Sequence, residues 1–251
     1  LLIQAITRVV AANPALRTGF DLHSFAEPLQ LVYANVTPLI DCIDLSQQDE
    51  AAQAASVEAC ILRLKQSGFD LQGPSLIRFT LLQKAAQTVH LIIDAHHAIL
   101  DGWSMATLQR QIFEFYRHLQ QGDALADVFD SGGIGFDDYV GQQISDEQSE
   151  DSAQFWQAYC HNSGTGALAA HWPEQAEAAI ISLPLPTPLV QALAARVEAS
   201  GSTLKTLLTM AHAWMLRSLF ASETVLTVLT DNGRPEVLGA QNIVGLFVNV
   251  L

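Results

Sequence analysis

Two β-type segments followed by an amphipathic helix constrain the fold of this chain most strongly. Residues 75–84 (SLIRFTLLQK) and 88–95 (TVHLIIDA) are rich in residues that favour strands, and a short polar link separates them. This pattern predicts a β-hairpin. Residues 103–120 then repeat apolar side chains along one helix face, which predicts a helix packed on a core. Between the hairpin and this helix stands the sequence HHAILDG.

The rest of the chain mixes the two kinds of element. A polar, acidic stretch over 121–153 contains several glycines and is the best candidate for a linker. Predicted helices cover 1–12, 47–67, 188–199 and 204–220, and predicted strands cover 29–36, 180–185 and 225–229, the last of them buried. The order of elements predicts an α/β fold, of the two-layer α+β type, with a sheet in each half.

Composition excludes several classes of function. The chain has 251 residues, 49% of them hydrophobic, and a net charge of −14. Because nucleic-acid binding depends on lysine and arginine neutralising phosphates, this balance argues against a nucleic acid or an anionic membrane surface as partner. No apolar run is long enough to span a membrane. Both ends lie inside predicted elements, so we expect the chain to be part of a longer protein.

The three cysteines, Cys42, Cys60 and Cys160, are odd in number and have no CxxC spacing. This pattern speaks against a disulfide framework and against a structural zinc site. It favours idle or buried thiols in a reducing cytoplasm.

His96 and His97 are the first candidates for chemistry. Histidine is the side chain whose ordinary pKa lies near neutrality, and this pair follows a predicted strand end. Adjacent residues of an extended chain point to opposite sides, so the two rings are poorly placed to share one metal ion. One imidazole can act as a general base while its neighbour has a structural role. The alternative is that both rings are packed and hydrogen-bonded.

Asp101 and Gly102 complete the motif. Asp101 could orient the imidazole of His97, as the acid does in a Ser-His-Asp arrangement. It could equally pair with a cation and hold the loop, and Arg17 is a candidate for that cation. Gly102 indicates a site of positive φ or of close backbone approach. No serine nucleophile in a GxSxG context is present, so in an acyl transfer the substrate would bring the attacking group.

HHAILDG matches the HHxxxDG signature of condensation domains from nonribosomal peptide synthetases, and further segments resemble that family in the same order. NPALRTGF resembles its HExLRTxF segment, with Asn13 and Pro14 in place of His-Glu. GFDDYVGQQ resembles YxDYAxW, with Phe136 for the first Tyr and without the Trp. The run DNGRPEVLGAQNIVGLFVNVL resembles the family's GRxxxxxxxxxVGxFINTLP segment, with Val250 in place of Thr, and FDLQGPSLIRFTLL resembles its FDLxxGPLLRxxLL strand.

This resemblance implies a fold of two chloramphenicol-acetyltransferase-like lobes with a channel between them. Residues 1–140 would form the first lobe without its opening segment, 141–175 the linker, and 176–251 the incomplete start of the second lobe. The resemblance also implies a reaction. The amine of an aminoacyl thioester on a downstream peptidyl carrier protein attacks an acyl or peptidyl thioester on an upstream one, in an assembly line that includes an adenylation domain.

By motif position, the resemblance makes His97 the catalytic candidate. Its imidazole would accept a proton from the attacking amine or hold that amine by a hydrogen bond. His96 would support it, Gly102 would line the channel, and Asp101 paired with Arg17 would be structural. No metal or bound cofactor is implied, since phosphopantetheine arms of the carriers hold the substrates. The alternatives are a CoA-dependent acyltransferase, an epimerisation domain, and a degenerate domain that only docks its partners.

Overall fold

The structure is a computed structural model that describes residues 1–122, 132–161, 181–220 and 223–250. By their contacts the described residues form two compact units. The first unit contains residues 1–145 and 230–250, and the second contains 146–229. The predicted lobe boundaries, 1–140, 141–175 and 176–251, differ from this division because residues 230–250 pack with the first unit. Whether these boundaries divide the two lobes of the family fold stays a prediction.

The first unit contains four α-helices and seven strands among the described residues. The helices are α1 Leu2–Ala12, α2 Glu50–Ser67, α3 Gly102–Gln121 and α4 Phe136–Glu147, whose last two residues already belong to the second unit. The strands are β1 Thr18–Asp21, β2 Leu29–Val32, β3 Leu39–Asp44, β4 Ile77–Ala85, β5 Thr88–Ala95, β6 Thr230–Asn232 and β7 Val248–Val250. The mixture confirms the predicted α/β class.

A three-stranded sheet in the order β3-β4-β5 positions the histidine motif. β4 and β5 form the predicted antiparallel hairpin, and Ile77 pairs with Ala95 at its open end. β3 runs parallel to β4, and α2 makes the crossover that a parallel connection requires. β3 was not predicted, because Asp41 and Asp44 interrupt its apolar residues (LIDCID) and leave only a weak strand pattern.

The main core lies where α1 and α3 pack on β4. The fully buried side chains of this core include Ile6, Leu16, Ile77, Phe79 and Leu108. Burial of a side chain of this size stabilises the fold by about 1.5–3 kcal/mol. The sheet and the start of α3 therefore form a rigid base for the residues between them, which are 96–101.

Residues 230–250 return to the first unit and form a second, smaller core. There Ala240, Ile243 and Phe247 are buried against Phe136 and Tyr139 of α4. This packing explains why GFDDYVGQQ is a helix and not the predicted linker: its aromatic residues have a core to cover. Asp137 and Asp138 also lie in the first turn of α4, where acidic side chains favour a helix.

The second unit contains α5 Glu150–His161, α6 Thr187–Ser200 and α7 Leu204–Phe220. α6 and α7 confirm two predicted helices. The prediction of a buried strand over 225–229 is wrong, since these residues form no strand and none of them is buried. The strand predicted over 180–185 is also not found at 181–185, and Ile180 lies outside the described residues.

The predicted linker, 141–175, also differs from the structure. Its described residues lie largely in α4 and α5, and residues 162–175 lie outside the part of the chain that the structure describes. None of the described helices combines the length and the apolar character needed to cross a membrane.

Candidate active site

The turn that follows β5 carries both histidines of the HHAILDG motif. The ring of His97 is exposed, whereas His96 is partly buried. The Nδ1 atom of His96 accepts a hydrogen bond from the backbone N–H of Ala98 at 3.1 Å. The two rings therefore differ in what they can do: His96 is engaged with its own turn, and His97 is accessible to a ligand.

Asp101 is the N-cap residue of α3 and is only 1% exposed. Its Oδ1 atom accepts the N–H of Ser104 at 2.7 Å, and its Oδ2 atom accepts the N–H of Phe247 at 2.9 Å. The first bond satisfies a free donor of the helix N-terminus. The second ties the helix to the segment 230–250. The carboxylate thus holds the backbone at both places, and its structural role in the site stays a prediction.

Arg234 brings a positive charge to the same place. It is 9% exposed, and its guanidinium donates to the carbonyl oxygens of Ala240 and Ile243, both at 2.7 Å. It also donates to the Oγ atom of Ser104 at 2.9 Å. Ser104 in turn donates to the carbonyl oxygen of Gly245 at 2.6 Å. A buried polar network therefore connects the first turn of α3 with residues 234–247.

Aromatic rings close this network on one side. The guanidinium carbon of Arg234 lies 3.9 Å from the ring centroid of Phe247, a distance at which the cation and the ring attract each other. The hydroxyl of Tyr139 donates to the carbonyl oxygen of Phe247 at 3.3 Å.

Burial lowers the pKa of Arg234, and the charge of Asp101 opposes that shift. Burial also raises the pKa of Tyr139, with a smaller contribution from Asp101.

The structure does not bring Arg17 to Asp101. The guanidinium of Arg17 donates instead to the carbonyl oxygens of Tyr33 and Ala34, at the end of β2. The carbonyl oxygen of Arg17 accepts the N–H of Tyr33 at 2.8 Å, next to the first β1–β2 pair, Thr18 and Val32. The predicted pairing is therefore not found, because Arg17 is held by the residues that follow β2, and Asp101 is covered by residues 245–247.

Gly102 differs from its prediction as well. It begins α3, has no positive φ, and a Cβ atom placed on it meets nothing within 4 Å. Gly233, by contrast, stands at a close approach. A Cβ atom there would lie 2.6 Å from the hydroxyl of Tyr139 and 2.9 Å from the carbonyl oxygen of Phe247.

These two glycines give a matched pair of substitutions. We expect Gly233→Ala to lower the free energy of unfolding by about 1–3 kcal/mol, because the added methyl group overpacks a tight site. We expect Gly102→Ala to change it by less than about 1 kcal/mol, because alanine is favourable in a helix and has free space here. Urea denaturation of both variants measures the difference. Equal losses in the two would contradict the packing described around residues 233 and 247.

Sequence reasoning missed Ser104, Arg234 and Phe247 as parts of this site. Arg234 and Phe247 stand in the segment that resembles the family's GRxxxxxxxxxVGxFINTLP pattern, which was the available signal. Their contacts with α3 join residues more than 125 positions apart, which no local pattern reveals.

Within the residues that the structure describes, no group of three histidine, cysteine or acidic side chains could hold a metal ion.

Comparisons with known proteins identify the family of this chain. The model of the condensation domain family matches residues 1–251. The chain is 32% identical to the AMB antimetabolite synthetase AmbE of Pseudomonas aeruginosa, over 100% of this chain and 12% of that protein. It is 29% identical to a linear gramicidin synthase of Brevibacillus parabrevis, over 99% of this chain and 3% of that protein.

Solved structures show the same fold. The first condensation domain of the calcium-dependent antibiotic synthetase matches with a TM-score of 0.73 and 22% identity, over 100% of this chain and 59% of that one. VibH, an NRPS condensation enzyme, matches with a TM-score of 0.72 and 23% identity, over 100% of this chain and 57% of that one. This chain therefore spans less than two thirds of these solved chains. The match of the family model to all its residues and the shared fold show that the chain belongs to the condensation domain family, as HHAILDG predicted.

Proposed function

We propose that this chain catalyses amide bond formation between two carrier-bound thioesters. The donor is an acyl or peptidyl thioester on an upstream peptidyl carrier protein, and the acceptor is an aminoacyl thioester on a downstream one. Phosphopantetheine arms hold both substrates, an adenylation domain supplies the aminoacyl group, and the reaction takes place in the cytoplasm. Membership of the condensation domain family and the synthetases among the relatives support this assignment.

The observation that carries the proposal is the exposed ring of His97 on a braced turn. The amine nitrogen of the acceptor attacks the carbonyl carbon of the donor, so that a C–N bond forms and the C–S bond breaks. The imidazole of His97 accepts the proton that the amine loses. It then returns this proton to the leaving sulfur, which departs as a thiol. The protein supplies no nucleophile because the amine is that nucleophile.

Two physical effects account for the rate. Tethering both reactants beside one turn converts a bimolecular reaction into an effectively unimolecular one, which contributes several kcal/mol. A positioned base adds about 10²–10⁴-fold. A thioester is already an activated acyl group, so these two effects are sufficient. Gly102 contributes space, since the region beside its Cα is open.

The assay combines the chain with an upstream carrier loaded with an acyl group and a downstream carrier loaded with an aminoacyl group. We expect the acyl-aminoacyl product to appear on the downstream carrier, measured by intact-protein mass spectrometry. The same assay with acyl-CoA as the donor tests the CoA-dependent alternative. Incorporation of solvent deuterium into a single loaded carrier tests the epimerisation alternative. A chain that binds carriers but yields no product in any arm would be a docking domain and would contradict the proposal.

Gly102→Ala adds a test of the space beside the helix. Because this variant is expected to keep its stability, a lower rate of amide formation would come from a methyl group in the path of the substrate. We expect a loss of about tenfold, the size of effect that a small misplacement of reacting groups produces. An unchanged rate would remove Gly102 from the substrate path.

A further inference from the structure

The side chains of Arg78, Phe69 and His96 form a stack in that order, and the stack ends at the turn that carries His97. The guanidinium carbon of Arg78 lies 4.5 Å from the ring centroid of Phe69. The ring of Phe69 meets the ring of His96 edge to face, with an interplanar angle of 87° and 6.1 Å between centroids. We propose that Phe69 is a positioning residue: through this stack it fixes the ring of His96, and His96 fixes the turn that presents His97. The inference rests on the proposed role of His97.

The far end of the stack is anchored on two sides. The Nε atom of Arg78 donates to the Oδ2 atom of Asp94 at 2.6 Å, and its Nη2 atom donates to the carbonyl oxygen of Leu64 at 2.6 Å. Arg78 and Asp94 are also direct cross-strand partners of β4 and β5. Because the guanidinium is a planar fork with fixed donor directions, these two bonds set its plane against Phe69.

The near end of the stack braces the turn. The N–H of His96 donates to the carbonyl oxygen of Leu76 at 2.8 Å, and its own carbonyl accepts the N–H of Ile99 at 3.2 Å. The Nδ1 atom of its ring accepts the N–H of Ala98, the residue that directly follows His97. A neutral imidazole that accepts at Nδ1 carries its proton on Nε2, so the ring has one tautomer and one orientation. The backbone is thus held on both sides of His97.

Edge-to-face aromatic pairs and cation–π contacts both need the ring at the centre of this stack. Phe69→Leu keeps an apolar side chain there but removes both contacts. We expect it to lower kcat for amide formation about tenfold while the KM for the acceptor-loaded carrier stays unchanged, because only the placement of His97 is lost. Phe69→Tyr keeps the ring and is expected to restore kcat to within about twofold of the parent chain.

A double-mutant cycle with His97→Ala separates positioning from folding. If Phe69 acts through His97, Phe69→Leu lowers the rate in the parent chain and causes no further loss in the His97→Ala background. Phe113→Leu, on an exposed phenylalanine of α3, is the matched control and is expected to leave the rate unchanged. Equal losses from Phe69→Leu in both backgrounds would show a merely structural role and overturn the inference.

A readout that does not depend on activity completes the test. In the ¹⁵N-histidine-labelled chain, with the His96 signals assigned by their loss in His96→Gln, we expect the shifts of a single Nε2–H tautomer. Phe69→Leu is expected to average these shifts between the two tautomers. An unchanged His96 spectrum in Phe69→Leu overturns the inference whatever the activity of His97→Ala. Full activity of His97→Ala, with the His96 spectrum altered by Phe69→Leu, overturns the role of His97 and with it the catalytic part of the inference.

Discussion

Replacing His97 by alanine is expected to lower the rate of amide formation by about 10²–10⁴-fold, the contribution of a positioned general base. The side chain is exposed on its turn, so its removal leaves no cavity and the fold stays intact. Single-turnover reactions between two loaded carriers, followed by the mass of the product, measure the loss. Product formation at the parent rate would remove His97 from the chemistry.

Two further variants sharpen this result. His90→Ala removes another exposed histidine, on β5 itself, and is expected to leave the rate unchanged. His97→Gln keeps a polar side chain that can hydrogen-bond the amine but cannot accept its proton at neutral pH. We expect it to be as impaired as His97→Ala. Recovery of the rate in His97→Gln would show that residue 97 holds the amine and does not take its proton.

Replacing Asp101 by alanine is expected to lower the free energy of unfolding by about 2–4 kcal/mol, because a lost N-cap costs about 1 kcal/mol and a buried N–H left without its acceptor costs about 1–3 kcal/mol. Three losses combine in this variant. Helix α3 loses its N-cap, the N–H of Phe247 loses its acceptor, and the buried cation of Arg234 loses the nearby negative charge. Urea denaturation followed by circular dichroism measures the change, and hydrogen exchange at the Phe247 amide reports it locally.

Asp49→Ala is the matched control for Asp101→Ala. Asp49 caps helix α2 by accepting the N–H of Ala52 at 2.8 Å, but it is exposed and has no long-range partner among the described residues. We expect this variant to lose only about 1 kcal/mol, the contribution of an N-cap alone. A loss in Asp101→Ala no larger than that of Asp49→Ala would contradict the role given to the contact with Phe247.

The local part of the site could be predicted from the sequence. The hairpin of β4 and β5, the helix that begins after Asp101 and the position of the histidines between them all follow from patterns within about 45 residues. Such patterns report which face of an element is apolar and where it ends. They were sufficient to place His96 and His97 on a turn at a strand end, and the structure confirms that placement.

The long-range part could not be predicted in the same way. Arg17 and Arg234 are both arginines in segments that resemble the family, and only packing decides which of them approaches Asp101. The wrong strand at 225–229 has a related cause. A β-type composition shows that a segment fits a sheet, but strand formation requires a neighbouring strand, and these residues have none among the residues described.

The bond between Asp101 and the N–H of Phe247 also has a consequence for synthesis on the ribosome, because it joins residues 146 positions apart. At about 5–20 residues per second, roughly 7–30 s pass between the translation of the two partners. During that interval the nascent chain holds the carboxylate of Asp101 without its long-range partner and, once α4 is made, the aromatic side chains of Phe136 and Tyr139 without the residues that cover them. Chaperone binding is therefore expected to concentrate in this window and to end once residues 234–247 leave the exit tunnel.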